Sequence, residues 1–413
     1  MLLILPLKAT KHMDLITPLT KWVETSHPQY RSQDLSQEIK RLHSIRADIS
    51  KACSSHSSHS FSLNKNNNTN ILPDLIEYHA CLVECINHGF PSDARDADVN
   101  GTMDANLHFY WKNAFQEYDG NEAHDSQSSH RGTTHFTYER TCVLYNIAAL
   151  YTYLACSKED WTSKDGRMNV KNHYVLAAKL LRHVQDLTKK EKEIDLMPDM
   201  YQDSLQMCLG VCLLQGQMAV YEALKVKLGE PSASSSTYTL LAKIAEGVAK
   251  HADMALVASQ SLALRDGKSS KIWGGHLKVM SMLFHARAEF LQSQVERREN
   301  NYGKEIARLE RAIKMTREGV EFMKSEGFVK LMDGPDSLGK IPTNLQSLLV
   351  NAKQRKKVIV DENNSIYHDK VPDANGMEKI QGKDMMEFDQ VKDCELPAEF
   401  MPVGLARPMF ASS

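Results

Sequence analysis

The stretch Tyr138-Glu139-Arg140-Thr141-Cys142-Val143-Leu144-Tyr145-Asn146-Ile147-Ala148-Ala149-Leu150 decides the fold class. From Cys142 to Cys156 nearly every residue is apolar. A surface helix needs only one apolar stripe about 100° wide, so a helix that is apolar on all faces must be enclosed by other elements. The stretch therefore predicts the central helix of a large, mainly α-helical core.

Three motifs along the chain resemble the Bro-one (BRO) domain of the ALIX and Brox family of ESCRT-associated adaptors. The first joins residues 109–115 (FYWKNAF) to the 138–150 stretch, the second is residues 302–309 (YGKEIARL), and the third is residues 365–372 (SIYHDKVP). They follow the family's order at roughly its spacing, and the resemblance covers almost the whole chain. It departs at Asn113, where the family usually has Asp.

Composition limits the class of protein. Of the 413 residues, 42% are hydrophobic and 25% are charged, as is usual for a globular protein with a core. Lys plus Arg number 50 against 52 Asp plus Glu, and this balance argues against a dedicated nucleic-acid binder. The eight cysteines form no disulfide framework and the N-terminus carries no secretory signal, which predicts a cytoplasmic protein.

The chain is predicted to be one Bro-one domain, residues 1–413, in three sections. Residues 1–136 form a small N-terminal β-sheet, including a strand over residues 1–7, and helices with a disordered loop at 54–70. Residues 137–357 form an elongated, tetratricopeptide-like solenoid of helical hairpins, because long helices joined by short loops stack as antiparallel pairs. Residues 358–413 form an extended arm packed on the core, since they are rich in apolar residues but lack helical periodicity. Four arm residues, Ile366, Tyr367, Val371 and Pro372, are expected to be largely buried.

The sequence contains no local catalytic or nucleotide-binding motif, so no catalytic residue, cofactor or small-molecule substrate is expected. His79, Cys81, Cys85 and His88 lie on one helix, where they cannot surround a tetrahedral ion, so no metal site is expected. The cysteines are instead interpreted as core residues. An enzyme with dispersed active-site residues remains an alternative.

Charged residues are interpreted mainly as solvated. Glu139 with Arg140, and Glu305 with Arg308, are predicted to be helix-surface charges. Basic residues cluster at 189–192 and 353–357. If they share one face, they predict weak, salt-sensitive contact with an anionic membrane.

One helix has more apolar residues than its core stripe requires. Within residues 237–256, a stripe that includes Leu241, Ala245 and Val248 is sufficient for packing, which leaves Leu240 and Ile244 as surplus. On the preceding helix Val220 and Leu224 form a comparable pair. These residues either bury against a third layer or form an exposed binding surface.

The family resemblance implies the second interpretation, with an apolar concave groove that receives the amphipathic C-terminal helix of an ESCRT-III subunit. It places Leu240 and Ile244 in that groove, and Met386 as a further apolar position. Helix geometry adds Val220. The family's acidic contact falls on Lys164 or, with a one-residue shift, on Asp165.

The resemblance therefore implies a non-enzymatic adaptor in endosomal sorting, multivesicular body formation and membrane remodelling, recruited from the cytoplasm to endosomal membranes. The alternative is a solenoid scaffold for another signalling or protease complex of the pH-response type.

Overall fold

The computed structural model describes residues 3–26, 35–54, 71–87, 107–115, 130–133, 136–157, 159–190, 196–229, 234–261, 268–331 and 339–386. These residues form helices α1 (Ile16–Ser26), α2 (Leu35–Ser54), α3 (Ile71–Asn87), α4 (Phe136–Ser157), α5 (Lys164–Lys190), α6 (Gln202–Lys225), α7 (Ser235–Ser259), α8 (Lys268–Arg298), α9 (Tyr302–Lys324), α10 (Glu326–Leu331) and α11 (Ile341–Glu362), and strands β1 (Phe109–Lys112) and β2 (His130–Thr133). The predicted mainly α-helical class is confirmed. The predicted disordered loop at 54–70 lies outside the described residues, apart from Ser54 at the end of α2.

The chain divides into two compact units. The first comprises Met1–Ile4, Thr152–Leu176 and Gln206–Asp389, and the second comprises Leu5–Tyr151, Ala177–Leu205 and Gln390–Ser413. Helices α4, α5 and α6 each contribute residues to both units.

In the second unit, the α4 residues that opened the sequence analysis are enclosed as predicted. Every residue from Thr141 to Ala149 is at most 1% exposed. Asn146 bonds the Lys8 backbone twice, accepting from its N–H at 2.7 Å and donating to its carbonyl at 3.0 Å. The polar residue in this apolar helix thus holds the N-terminal segment in place.

Glu139 is fully buried in the second unit, so its interpretation as a surface charge was wrong. Its carboxylate accepts hydrogen bonds from Arg46 Nε at 2.6 Å, from the Tyr78 hydroxyl at 3.1 Å and from the Trp111 indole. A buried carboxylate needs such partners to offset its loss of hydration. This contact joins the two parts of the first motif, because Trp111 lies in residues 109–115 and Glu139 lies in residues 138–150.

The small sheet pairs β1 with β2 in antiparallel register, with Phe109 opposite Thr133. The N-terminal segment meets β1 through an isolated bridge between Thr10 and Trp111, and Lys112 N–H donates to the carbonyl of Ala9 at 2.8 Å. Residues 3–7 form no strand. The predicted N-terminal strand was therefore wrong, because the backbone of this segment is bound by side chains such as Asn146 and Gln215 rather than by a sheet ladder.

In the first unit, the helices pack consecutively. α7 packs on α8, α8 on α9, and α9 on α11. Helices α6 and α7 approach closely at Gly210, where an added Cβ would lie 2.7 Å from the Cβ of Ala255. Helix α6 is long and apolar enough to cross a membrane, but 78% of that window is buried in the structure, as in a core helix.

The C-terminal section begins later than predicted. Helix α11 runs to Glu362, and a π-helical turn at Asn363–Tyr367 follows it. His368, with φ of 58°, ends that turn in the left-handed region. The extended segment that follows, residues 369–386, is called the arm below.

Candidate partner-binding site

The arm is first anchored at the start of α9, where the second and third sequence motifs meet. Asp369 Oδ2 accepts from the backbone N–H of Tyr302 at 2.9 Å and of Gly303 at 3.4 Å. The N-cap residue Asn301 makes no side-chain cap of its own, so Asp369 supplies the cap from a distant segment. The rings of Tyr302 and Tyr367 stack with their centroids 3.5 Å apart.

Gly303 is required by the closeness of this contact. A Cβ added there would lie 2.3 Å from the carbonyl oxygen of Lys370. The glycine of the YGKEIARL motif therefore serves the packing of the arm rather than the α9 helix itself.

Two arginines of α9 form the second anchor. Arg308 Nη1 donates to the carbonyl of Glu378 at 2.8 Å, and Arg311 Nη1 donates to that of Met377 at 3.1 Å. Both arginines also pair with Glu289, each at 3.0 Å. Charge-assisted bonds of this kind are stronger than neutral ones, so they fix the arm along α9.

Arg308 is 5% exposed and Glu305 is fully buried, so their interpretation as surface charges was also wrong. Burial raises the pKa of Glu305 to about 7, although Arg297 acts in the opposite direction. Glu305 accepts from Arg355 Nε at 2.6 Å. Helix α9 uses these charges to bind α8, α11 and the arm.

Gln217 on α6 is the third anchor, and it joins two helices to the arm. Its Nε2 donates to the carbonyl of Lys383 at 2.6 Å and to that of Ile244 at 3.3 Å. Its Oε1 accepts from the N–H of Met385 at 2.8 Å. The set formed by Gln217, the backbone of 383–385 and the facing turn of α7 is called the arm seam.

Helix α7 is shaped to accept the arm at this seam. A Cβ added to Gly247 would lie 2.5 Å from the carbonyl oxygen of Lys383, and Lys383 N–H donates to the carbonyl of Lys243 at 2.8 Å. Asp384 lies 3.4 Å from His251, and the hydrogen bond with His251 lowers the pKa of Asp384.

The arm seam changes the interpretation of three predicted site residues. Ile244 is fully buried, Val220 is 8% exposed and Met386 is 1% exposed. The expectation that Ile244 and Val220 are surplus to the core was therefore wrong. Both residues lie in the part of α6 and α7 on which the arm packs, where Gln217 bonds the carbonyl of Ile244 and Met386 lies against Gly216.

Leu240 remains half-buried, as does Leu224 on α6. Helices α6 and α7 are antiparallel neighbours, because Gly210 faces Ala255 and the later Gln217 bonds the earlier Ile244. The same register places Leu224 opposite Leu240. Two partly exposed leucines thus lie side by side on facing helices, one turn from the buried Ile244, and are called the Leu224–Leu240 pair.

Asp165 lies elsewhere in the first turn of α5 and is exposed. No hydrogen bond or ion pair within the described ranges joins it to the arm seam. The structure thus brings together four of the five predicted residues, Leu240, Ile244, Val220 and Met386, through α6, α7 and the arm.

The π-helical turn and the arm that follows it are held differently from the prediction. Ile366 is 65% exposed and Val371 is 41% exposed, so their predicted burial was wrong, while Tyr367 and Pro372 are half-buried. The arm is anchored chiefly by hydrogen bonds, with Ile380 and Met386 as its buried apolar residues among those described.

The basic run at 353–357 is partly neutralised. Arg355 pairs with Glu305, and Lys356 Nζ lies 2.8 Å from Glu310, while Lys353 and Lys357 are exposed. In the other run, Lys189 and Lys190 are exposed, and Lys192 lies outside the described residues. The two runs belong to different units.

The cysteine pairs are buried, as predicted for core residues. Burial raises the pKa of Cys81 to about 12. Within the described ranges, no three His, Cys, Asp or Glu residues are grouped so as to hold a metal ion.

Sequence reasoning missed Gln217, Asp369 and the two arginines of α9 as anchors of the arm. Gln217 carried a local signal, because it is a polar residue within the apolar run of α6, and Asp369 and Arg308 lie within two of the three motifs. Their role as anchors becomes visible only when the arm is placed beside them.

In the first unit an anchored, extended arm thus crosses a stack of helices. The BRO1-like domain family matches residues 2–411, and the chain belongs to this family.

Several relatives and solved structures are similar over most of the chain. The human Programmed cell death 6-interacting protein is 23% identical over 391 residues, which cover 91% of this chain and 37% of the relative. The Vacuolar-sorting protein BRO1 of Arabidopsis thaliana is 24% identical, and the match covers 92% of this chain and 40% of the relative. The pH-response regulator protein RIM20 of Yarrowia lipolytica is 24% identical, with 98% of this chain and 46% of the relative covered.

The chain thus spans about two fifths of the length of these curated relatives. Among solved structures, the ALIX BRO1 CHMP4C complex matches with a TM-score of 0.66 at 20% identity, covering 93% of this chain and 94% of that chain. A structure concerned with endosomal targeting by the Bro1 domain matches with a TM-score of 0.67 at 16% identity, covering 94% of this chain and 92% of that chain. At these identities the structural matches establish the fold.

Proposed function

We propose that this protein is a non-enzymatic adaptor in endosomal sorting, and that it binds the amphipathic C-terminal helix of an ESCRT-III subunit beside the arm seam. The observation that carries the proposal is the Leu224–Leu240 pair. Two large apolar side chains stay partly exposed on facing helices, at a position where the surrounding Ile244 and Val220 are buried. Helix-in-groove recognition uses such apolar anchors on a firm base.

Family membership supports this choice of partner, because one structurally similar BRO1 domain was solved as a complex with CHMP4C. The arm seam supplies rigidity. Gln217 fixes α6, α7 and the arm to one another, so a partner helix meets a surface that needs little rearrangement, and a preorganised surface loses less entropy on binding. Met386 and Ile244 are proposed as buried apolar positions of the same site, and Asp165 as a separate polar contact.

The test is calorimetric titration of the whole protein with a CHMP4C C-terminal peptide. We expect Leu224→Asp and Leu240→Asp each to weaken binding about 30-fold or more, because the added carboxylate must be desolvated against the apolar face of the peptide. Peptide binding that is equal in all variants would contradict this site, and absent binding by the wild type would contradict this partner.

Val257→Asp is the matched control. Val257 lies on the same helix, is 71% exposed, and stands 17 residues beyond Leu240, about 25 Å along the helix axis. This variant adds the same charge to α7, so its binding should equal that of the wild type.

A second candidate function is a scaffold for another signalling or protease complex of the pH-response type. The match to RIM20 over 98% of the chain favours it. If the CHMP4C peptide does not bind but the Leu224–Leu240 pair is needed to capture a RIM20-type partner peptide, this alternative replaces the first.

The protein is further proposed to be cytoplasmic and recruited to endosomal membranes by its partner. Any direct contact with anionic lipid is expected to be weak, because Arg355 and Lys356 are already paired with carboxylates.

A further inference from the structure

A cleft of about 600 Å³ lies in the first unit, away from the arm seam, between the end of α7, the first half of α8 and the α9–α10 junction. Its large apolar lining residues are Leu256, Phe322, Phe328 and Leu331. Leu256, Phe322 and Leu331 are only half-buried, so apolar surface faces the open cleft. Small-molecule sites have this size and this predominantly apolar lining.

The polar groups of the cleft carry one sign of charge. Lys271 and Lys278 line it, and none of the lining residues in the described part of the chain is a carboxylate. The two lysines are seven residues apart on α8, so they lie on one face of the helix. Lys278 Nζ rests 4.2 Å from the centroid of the Phe322 ring rather than on an anion. Two acids are adjacent in sequence to lining residues: Glu326 is paired with Lys330, and Glu321, next to Phe322, is exposed.

Two adjacent glycines, Gly274 and Gly275, line this cleft. They stand within the 31-residue helix α8, where glycine is unfavourable. Gly275 has a packing reason, because an added Cβ would lie 2.9 Å from the Phe328 ring. At Gly274 an added Cβ would approach only Ser259 Oγ, at 3.2 Å, and both residues line the cleft. A side chain at 274 would therefore begin inside the open space.

We propose that this cleft binds a free single-chain anionic amphiphile, whose tail covers Leu256, Phe322 and Leu331 and whose carboxylate or phosphate is held by Lys271 and Lys278. The apolar floor selects the tail and the two ammonium groups select the charge. The small size of the cleft distinguishes this ligand from a partner helix, which needs an extended groove with anchors over several turns.

The probe is decanoate, titrated calorimetrically into the whole protein below its micelle concentration. Decanol supplies the same tail without the charge, and acetate supplies the carboxylate without the tail. We expect decanoate to bind, decanol to bind about fivefold more weakly, and acetate to give no measurable binding. Absent decanoate binding, equal binding of decanol, or binding of decanoate only in the presence of lipid vesicles would overturn the proposal.

Two variants locate the site. Gly274→Leu fills the cleft and should remove decanoate binding. Lys271→Gln combined with Lys278→Gln should weaken it about fivefold or more, and this exchange of partly exposed lysines leaves the core unchanged. Lys304→Gln combined with Lys353→Gln is the matched control, because it removes two exposed positive charges from the same unit away from the cleft. Equal affinities of the two lysine double variants would refute the assignment even if Gly274→Leu fails to fold.

Discussion

The side-chain amide of Gln217 on α6 donates to the backbone carbonyl of Lys383 at 2.6 Å, across 166 residues of sequence. The same amide binds Met385 N–H and the carbonyl of Ile244. One fully buried polar side chain thus satisfies the backbone of the arm and joins it to two helices.

Replacing Gln217 by Leu should destabilise the protein by about 2–3 kcal/mol. The apolar side chain fills similar space but leaves the N–H of Met385 and the carbonyl of Lys383 without their partner in a buried seam. Denaturant unfolding measures the loss. Gln346→Leu, on the exposed face of α11, should change stability by less than about 0.5 kcal/mol. Equal effects of the two variants would show that the seam contributes nothing.

Asp369→Ala should lower the unfolding free energy by about 1–2 kcal/mol, because the first turn of α9 loses the acceptor for two N–H groups. Asp369→Asn keeps an acceptor and should lose less. Asp373 caps only a short exposed turn, so Asp373→Ala serves as the control. The prediction is contradicted if Ala and Asn are equivalent to the wild type at position 369.

Gly303→Ala should cost about 2 kcal/mol or more. The new methyl carbon would lie 2.3 Å from the carbonyl oxygen of Lys370, and neither atom can move away by rotation of a side chain. Gly376→Ala introduces the same group where no heavy atom lies within 4 Å, so it should be tolerated. Thermal unfolding of the two variants side by side decides the point, and equal unfolding temperatures would argue against close packing of the arm.

His285 predicts a pH dependence of stability. Its ring lies 2.9 Å from both Glu246 and Asp253. Burial alone lowers the pKa of His285, but hydrogen bonds to these carboxylates outweigh burial and raise the pKa to about 9. Because this value exceeds the pKa of about 6.5 in an unfolded chain, the stabilisation is complete below pH ~6.5 and is lost as pH rises through about 9.

His285→Gln should therefore destabilise the protein by about 1–2 kcal/mol at pH 6, after allowance for solvent screening of the half-exposed Asp253. The difference from the wild type should shrink towards pH 10. Denaturant unfolding across this range measures it, and a difference that does not vary with pH would count against the charged pair.

Ile244→Asp should unfold the protein, because it places a charge at a fully buried position beneath the arm. Leu240→Asp should leave the domain folded, since that side chain is already partly exposed. Calorimetric unfolding compares the two variants. If Ile244→Asp proves as stable as Leu240→Asp, the arm does not cover this turn of α7 in solution.

The sequence by itself determined the helical class and the family. The unbroken apolar run of α4 requires burial in any fold. The three motifs are local patterns that can be identified in the sequence alone. Periodicity also predicted helical hairpins over the central section, because the 3.6-residue repeat is a property of each segment alone.

Tertiary structure decided which of these residues are exposed. Ile244 has the pattern of a surplus surface residue, yet it is fully buried, on a turn of α7 where Lys243 accepts a hydrogen bond from Lys383 of the arm. Glu139, Glu305 and Arg308 have the spacing of surface charges, yet each binds a partner from a distant segment. Burial is a relation between segments, so periodicity within one helix predicts how many faces are apolar but not which face another segment covers.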